Sequence, residues 1–275
     1  RRAWLYLLAP AIALALGVAL FSESEALFWR SLAYLAVFHF VRQQYGWVAL
    51  YRARAGEAGR LGRLVDSAAI YMATLYPLIY WHANLPRRFW WFLPGDFAQV
   101  PAWVERAAWP AYVLALGAYA VRSAHAWLVR GAGNPGKDLV VLTTALCWYA
   151  GIVAYNSDYA FTVTNVVIHG VPYMVLVWWY ARGRAPRAGA AYRGLARWPL
   201  VFIATLWLMA YAEELLWDRG VWHERAWLFG AAWDVQGLKV LLVPLLALPQ
   251  VTHYVLDGFV WRRKSNPQLS ALSER

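Results

Sequence analysis

Four of the six histidines stand inside, or at the edge of, long apolar runs: His39 in FHFVRQQYG, His82 in YPLIYWH, His169 in TNVVIHGVPY and His253 in THYVLDGFVW. His125 falls near a helix end and His223 in a connecting segment. Placing an ionisable group in hydrocarbon costs several kcal/mol, so such groups face a protein interior and mark candidate functional sites. Residues four apart share a helix face. Three of these histidines therefore have a polar companion on the same stripe: His39 with Gln43, His169 with Asn165, and His253 with Asp257. A lone imidazole of this kind often does no more than hydrogen-bond a neighbouring helix, at about 1 kcal/mol or less. Three of them, each with a companion, point to a shared site.

Three imidazoles with a carboxylate form a metal-binding inventory, because neutral imidazole suits iron, zinc or copper and the carboxylate offsets charge. Non-haem iron or zinc fits best. In this expectation His39, His169 and His253 are the ligands and Asp257 completes or neutralises the sphere. Gln43 and Asn165, with Tyr173 and Tyr254 as further candidates, orient the imidazoles or contact the bound group. Arg42 is placed to steady an anionic intermediate or headgroup. Asp66 is open between a ligand, a proton relay and an ion-pair partner of Arg42 or Arg63, and Asp257 has Arg42, Arg262 and Arg263 as alternative partners.

The elements that would carry these residues are transmembrane helices. Of 275 residues, 61% are hydrophobic and 15% charged, against roughly 25% charged in a soluble domain. The apolar residues come in runs of about 20, the length that crosses ~30 Å of hydrocarbon at ~1.5 Å per residue. Spans are expected at about 3 to 21, 26 to 51, 62 to 83, 106 to 129, 138 to 157, 159 to 181, 196 to 213 and 237 to 261. The first of these exceeds the apolar core of a signal peptide and is taken as a span. The fold expected is thus all-α, a polytopic integral membrane bundle of about eight transmembrane helices forming a single domain over residues 1–275.

Arg and Lys gather on one side of this arrangement: Arg1 and Arg2; Arg52, Arg54, Arg60 and Arg63; Arg130 and Lys137; Arg182 to Arg197; Arg262 to Lys264. Basic loops stay cytoplasmic, so both ends are expected inside, in a multi-pass protein of the inner (plasma) membrane. Counting ~1.5 Å per residue from the cytoplasmic helix ends puts His39 and His169 ~20 Å deep and His253 ~13 Å, with Arg42 and Gln43 at ~13 to 15 Å and Asp66 and Asp257 at ~6 Å. The three histidines are thus expected at compatible depth. The Asn84–Val104 segment, with its Trp and Pro, reads as an interfacial loop, as does Trp217–Trp233. Asn156, Asp158, His82, Glu213 and Glu214 read as a water-solvated group at the outer face.

The net charge of +11 sits at span ends rather than along a soluble face, which implies anionic lipid and no nucleic acid. The single cysteine, Cys147, excludes a disulfide framework and a cysteine-based metal site. The histidine boxes of membrane desaturases and the HExxH of zinc proteases are both absent. The leading expectation is a membrane-embedded, His-ligated metalloenzyme, an iron-dependent oxidoreductase acting on a lipid, isoprenoid or carotenoid, with a redox partner or a larger membrane complex. The alternatives are a b-type cytochrome with haem b serving quinone, and a proton- or ion-coupled transporter. No inverted repeat supports the last of these.

Overall fold

The computed structural model describes residues 3–260 except 88, 91, 93, 94 and 185–188. Arg1, Arg2, Arg88, Trp91, Arg187, Arg262, Arg263 and Lys264, which bear on topology or on the partners of Asp257, lie outside the described residues. Among those described, the chain is helical and has no β-strand. Its helices are α1 (Ala3–Glu23), α2 (Glu25–Arg54), α3 (Arg60–Ala83), α4 (Ala102–Leu128), α5 (Pro135–Trp148), α6 (Asp158–Asn165), α7 (Val171–Arg184), α8 (Ala190–Arg197), α9 (Pro199–Trp217), α10 (Ala226–Phe229) and α11 (Lys239–Val260). Wider π-helical turns follow α5 (Tyr149–Ala154), α6 (Val166–Gly170) and α9 (Asp218–Trp222).

Among the described residues, five helical stretches are long and apolar enough to cross a membrane: Trp4–Glu23, Pro135–Ala154, Asp158–Gly183, Pro199–Trp222 and Lys239–Phe259. They leave much apolar surface uncovered, including Leu7, Leu142, Leu200 and Trp207. A soluble monomer rarely exposes so much of it, whereas hydrocarbon is its natural solvent. The expected spans 26–51, 62–83 and 106–129 do form helices, α2, α3 and α4. Their charged residues, among them Arg30, Arg42, Arg52, Arg63, Asp66, Arg106 and Arg122, set them apart from the five.

The chain divides into two compact units, Arg1–Trp29 with Pro172–Gly258, and Arg30–Val171 with Phe259–Arg275. In the second, α3 packs on α4 and α5, and the π-helical turn after α5 packs on α3 and α6. One apolar core joins Val41, Trp81, Phe97, Trp148, Ile152, Phe161 and Ile168; another joins Val48, Ala69, Ile70, Tyr119 and Val141. Helix starts are written locally. Asn134 caps α5, with Pro135 in its first turn, and Ser157 accepts from the Ala160 amide to cap α6. Gly151 sits where a Cβ would lie 2.6 Å from the Phe161 Cα, so only glycine lets the π-helical turn and α6 approach this closely. In the first unit, Trp29, Trp217 and Trp222 form an aromatic cluster, and the buried Asp218 carboxylate accepts from the Glu224 and Arg225 amides.

Candidate functional site

His39 lies in the middle of α2 and is only 5% exposed. His169 lies in the π-helical turn Val166–Gly170, and the two rings meet edge to face with centroids 5.2 Å apart. Ring nitrogens of this pair lie within 4.8 Å of each other. The wide turn has a local cause. Pro172 has no N–H to return to the Ile168 carbonyl four residues earlier, and that carbonyl instead accepts from Gln44 Nε2 at 3.3 Å. Gln44 is itself held by Thr144, whose hydroxyl donates to Gln44 Oε1 at 3.1 Å. One buried amide thus ties α2 to α5 and to the His169 turn. π-helical turns of this kind occur often at functional sites.

Gln43 and Asn165 stand one turn from His39 and His169 on their own helices. Both polar atoms of the Gln43 amide, and Asn165 Oδ1, are buried without a hydrogen-bond partner among the described residues. Leaving a buried polar group unsatisfied costs about 1 to 3 kcal/mol. In a packed interior such groups are few, and a water, an ion or a ligand commonly meets them. The apolar side of the pair is filled by Phe40, whose ring contacts His169 with centroids 4.6 Å apart.

In the first unit, His253 and Asp257 occupy one stripe of α11 and meet Tyr173 of α7. Asp257 Oδ1 is 3.5 Å from His253 Nδ1, and the Tyr173 hydroxyl donates to Asp257 Oδ1 at 3.0 Å. The Tyr173 oxygen is also 3.4 Å from His253 Nδ1. The pairing of His253 with Asp257 read from the spacing is therefore present, and Tyr173, a candidate orienting group, joins it.

The arginine and aspartate singled out in the sequence take other partners. Arg42 donates to the Tyr71 hydroxyl and lies over the Tyr45 ring at 5.2 Å. Asp66 is fully buried, and in place of the expected Arg42 or Arg63 it meets Arg52, Arg122 (2.6 Å) and Lys137 (3.3 Å). Glu57, in the connection after α2, joins the same cluster through Lys137 at 2.7 Å, Arg122 at 2.9 Å and Asn134 at 2.8 Å. Burial alone raises the Glu57 pKa. The hydrogen bonds from Lys137, Asn134 and Arg122, with the Lys137 charge, outweigh it and hold the carboxyl at about 2. A Cβ at Gly62 would lie 2.6 Å from the Arg122 guanidinium, so a side chain there would displace Arg122 from the cluster. Sequence reasoning missed this network. Its signal lay in Arg52 and Lys137, which the sequence reading counts as topology, and in Arg122, a charge inside an expected span that the sequence reading passes over.

The outer group also needs correction. Asp158 is 2% exposed rather than solvated, because its carboxylate accepts from the Trp90 amide at 2.8 Å, the Phe92 amide at 3.2 Å and the Tyr159 amide at 2.8 Å. These bonds anchor the connection between α3 and α4. In the same connection, Arg87 donates to Asn156 and to the Ile152 carbonyl, with burial drawing its pKa down to about 10. His82 donates from Nδ1 to the Leu78 carbonyl at 2.6 Å and accepts from the Tyr34 hydroxyl at 2.8 Å. It is thus engaged as a strap. Glu213 is exposed, and Glu214 pairs with Arg225 at 3.2 Å.

No protein-family model, no curated protein and no solved structure matches the chain.

Proposed function

We propose that this chain is a membrane-embedded metalloprotein in which His39 and His169 hold a non-haem iron or zinc ion, and that it is an oxidoreductase acting on a hydrophobic lipid, isoprenoid or carotenoid. The observation that carries the reading is the imidazole pair on α2 and the π-helical turn. A metal–nitrogen bond of about 2.1 Å puts each ring centre roughly 3.2 Å from a shared ion. The ring centres lie 5.2 Å apart and their nitrogens within 4.8 Å of each other, a spacing within reach of one shared ion. Gln43 and Asn165 support the reading as amides placed to hydrogen-bond a bound group or substrate, and Arg42 as a cation for an anionic headgroup. His253 and Asp257 enter as third ligand and neutralising carboxylate on the sequence-derived depths alone.

A bound metal would supply Lewis-acid or one-electron chemistry, with dioxygen and a redox partner as co-reactants. The chain's own part is to hold the imidazoles, exclude bulk water and admit substrate from the bilayer. The ion pairs of Asp66 support a role in tying helices together rather than in the reaction. For topology we propose eight crossings with both ends cytoplasmic, in the inner (plasma) membrane. Helices α2, α3 and α4, of 30, 24 and 27 residues, are long enough for the three crossings beyond the five apolar ones.

Elemental analysis and a visible spectrum of the purified protein test this. Stoichiometric iron or zinc without a Soret band is the expected result. A Soret band would replace the reading with a b-type cytochrome, and protein free of both metal and haem would overturn it. Metal content of His253→Ala decides the part of His253.

A further inference from the structure

We infer that Asp257 and Tyr173 are positioning residues for His253, holding its ring as the tautomer protonated on Nδ1 and presenting Nε2, with its lone pair, to a divalent cation. The cation rests on the metal reading above, whereas the tautomer rests on the α7–α11 geometry.

The assignment follows from counting protons. Tyr173 has one hydroxyl proton, and it goes to Asp257 Oδ1 at 3.0 Å. The phenol oxygen facing His253 Nδ1 at 3.4 Å is then an acceptor. Asp257 Oδ1 also faces Nδ1, at 3.5 Å, and an ionised carboxylate only accepts. Two acceptors on one ring nitrogen place a proton there. Were Nδ1 the bare nitrogen, its lone pair would oppose both oxygens in a part-buried setting where the His253 and Asp257 side chains are 31% and 14% exposed. A neutral imidazole has one N–H, so Nε2 keeps its lone pair, the form in which a histidine binds a metal. Carboxylate-bound imidazole is the usual support for such a ligand, fixing its orientation and raising its basicity. The i to i+4 spacing on α11 sets the pair, and the tyrosine from α7 fixes which Asp257 oxygen faces the ring.

The test is nitrogen NMR of the full-length protein carrying ¹⁵N-histidine, stripped of metal with a chelator, with the His253 signals identified by their loss in His253→Gln. A pyrrole-type Nδ1 and a pyridine-type Nε2 are expected, and the Asp257→Leu/Tyr173→Phe variant should shift His253 toward the Nε2-protonated form. A wild-type ring protonated on Nε2, singly or in both positions, would overturn the assignment without recourse to any variant. Titration with Zn²⁺ forms the second arm, where Asp257→Leu should weaken binding 10- to 100-fold. Wild-type protein with the expected tautomer but no Zn²⁺ binding would end the metal reading and leave the positioning role in place.

Discussion

Replacing Asp66 by Asn should be among the most damaging single changes outside the histidines. Asp66 is fully buried between Arg52, Arg122 and Lys137, whose side chains are 8%, 35% and 5% exposed. With Glu57 included, three cations face two carboxylates, and the substitution raises the net charge of the cluster from one positive to two. Removing one member of a buried ion pair costs about 3 to 5 kcal/mol, because the stranded charges stay out of water. Arg122 is a third exposed, so water relieves part of its share, and a loss near about 3 kcal/mol is expected. At roughly 2 to 4 °C per kcal/mol for a chain of this size class, Tm should fall by about 6 to 12 °C. Thermal unfolding in detergent, read by tryptophan fluorescence with Glu213→Gln as the exposed control, measures it. Adding Lys137→Met should recover part of the loss, since it removes one stranded cation. An Asp66→Asn variant within about 1 kcal/mol of wild type would refute the claim that this cluster joins α2, α3, α4 and α5 through charge.

Other expectations follow from the same geometry. His39→Ala and His169→Ala should each lose bound metal while His223→Ala, altered at an exposed loop position, keeps it; elemental analysis of the three decides, and equal content in all would remove the imidazole pair as the site. Glu57 has a pKa lowered from 4.5 to about 2, so its contribution to stability is complete above pH 4.5 and fades as pH falls toward 2; Glu57→Gln should flatten Tm against pH over that window, and an unchanged slope would contradict it. Gly151→Val should destabilise by about 1 to 3 kcal/mol through overpacking, because the new side chain meets the Phe161 backbone at 2.6 Å; an unaltered Tm would show that α6 is free to move away.

The membrane character of this chain and its helices were legible without coordinates, because hydrocarbon imposes a rule on each segment separately: about 20 apolar residues, with every backbone group satisfied within the helix. The same locality made Pro172 and the i to i+4 companions of the histidines readable. Partners chosen across helices were not. Gln43 and Gln44 are adjacent and chemically identical, yet only Gln44 reaches Ile168 and Thr144, because neighbouring residues point about 100° apart around the helix. Asp66 was visible as an oddity, but its pairing with Arg52, Arg122 and Lys137 depends on which helix faces come together. Asp158 looked like a solvated end-of-helix acid until the α3–α4 connection folded its amides onto it. Sequence spacing settles what one helix offers on one face; only packing decides which offers meet, since charge and hydrogen bonding act over a few ångströms between residues tens of positions apart.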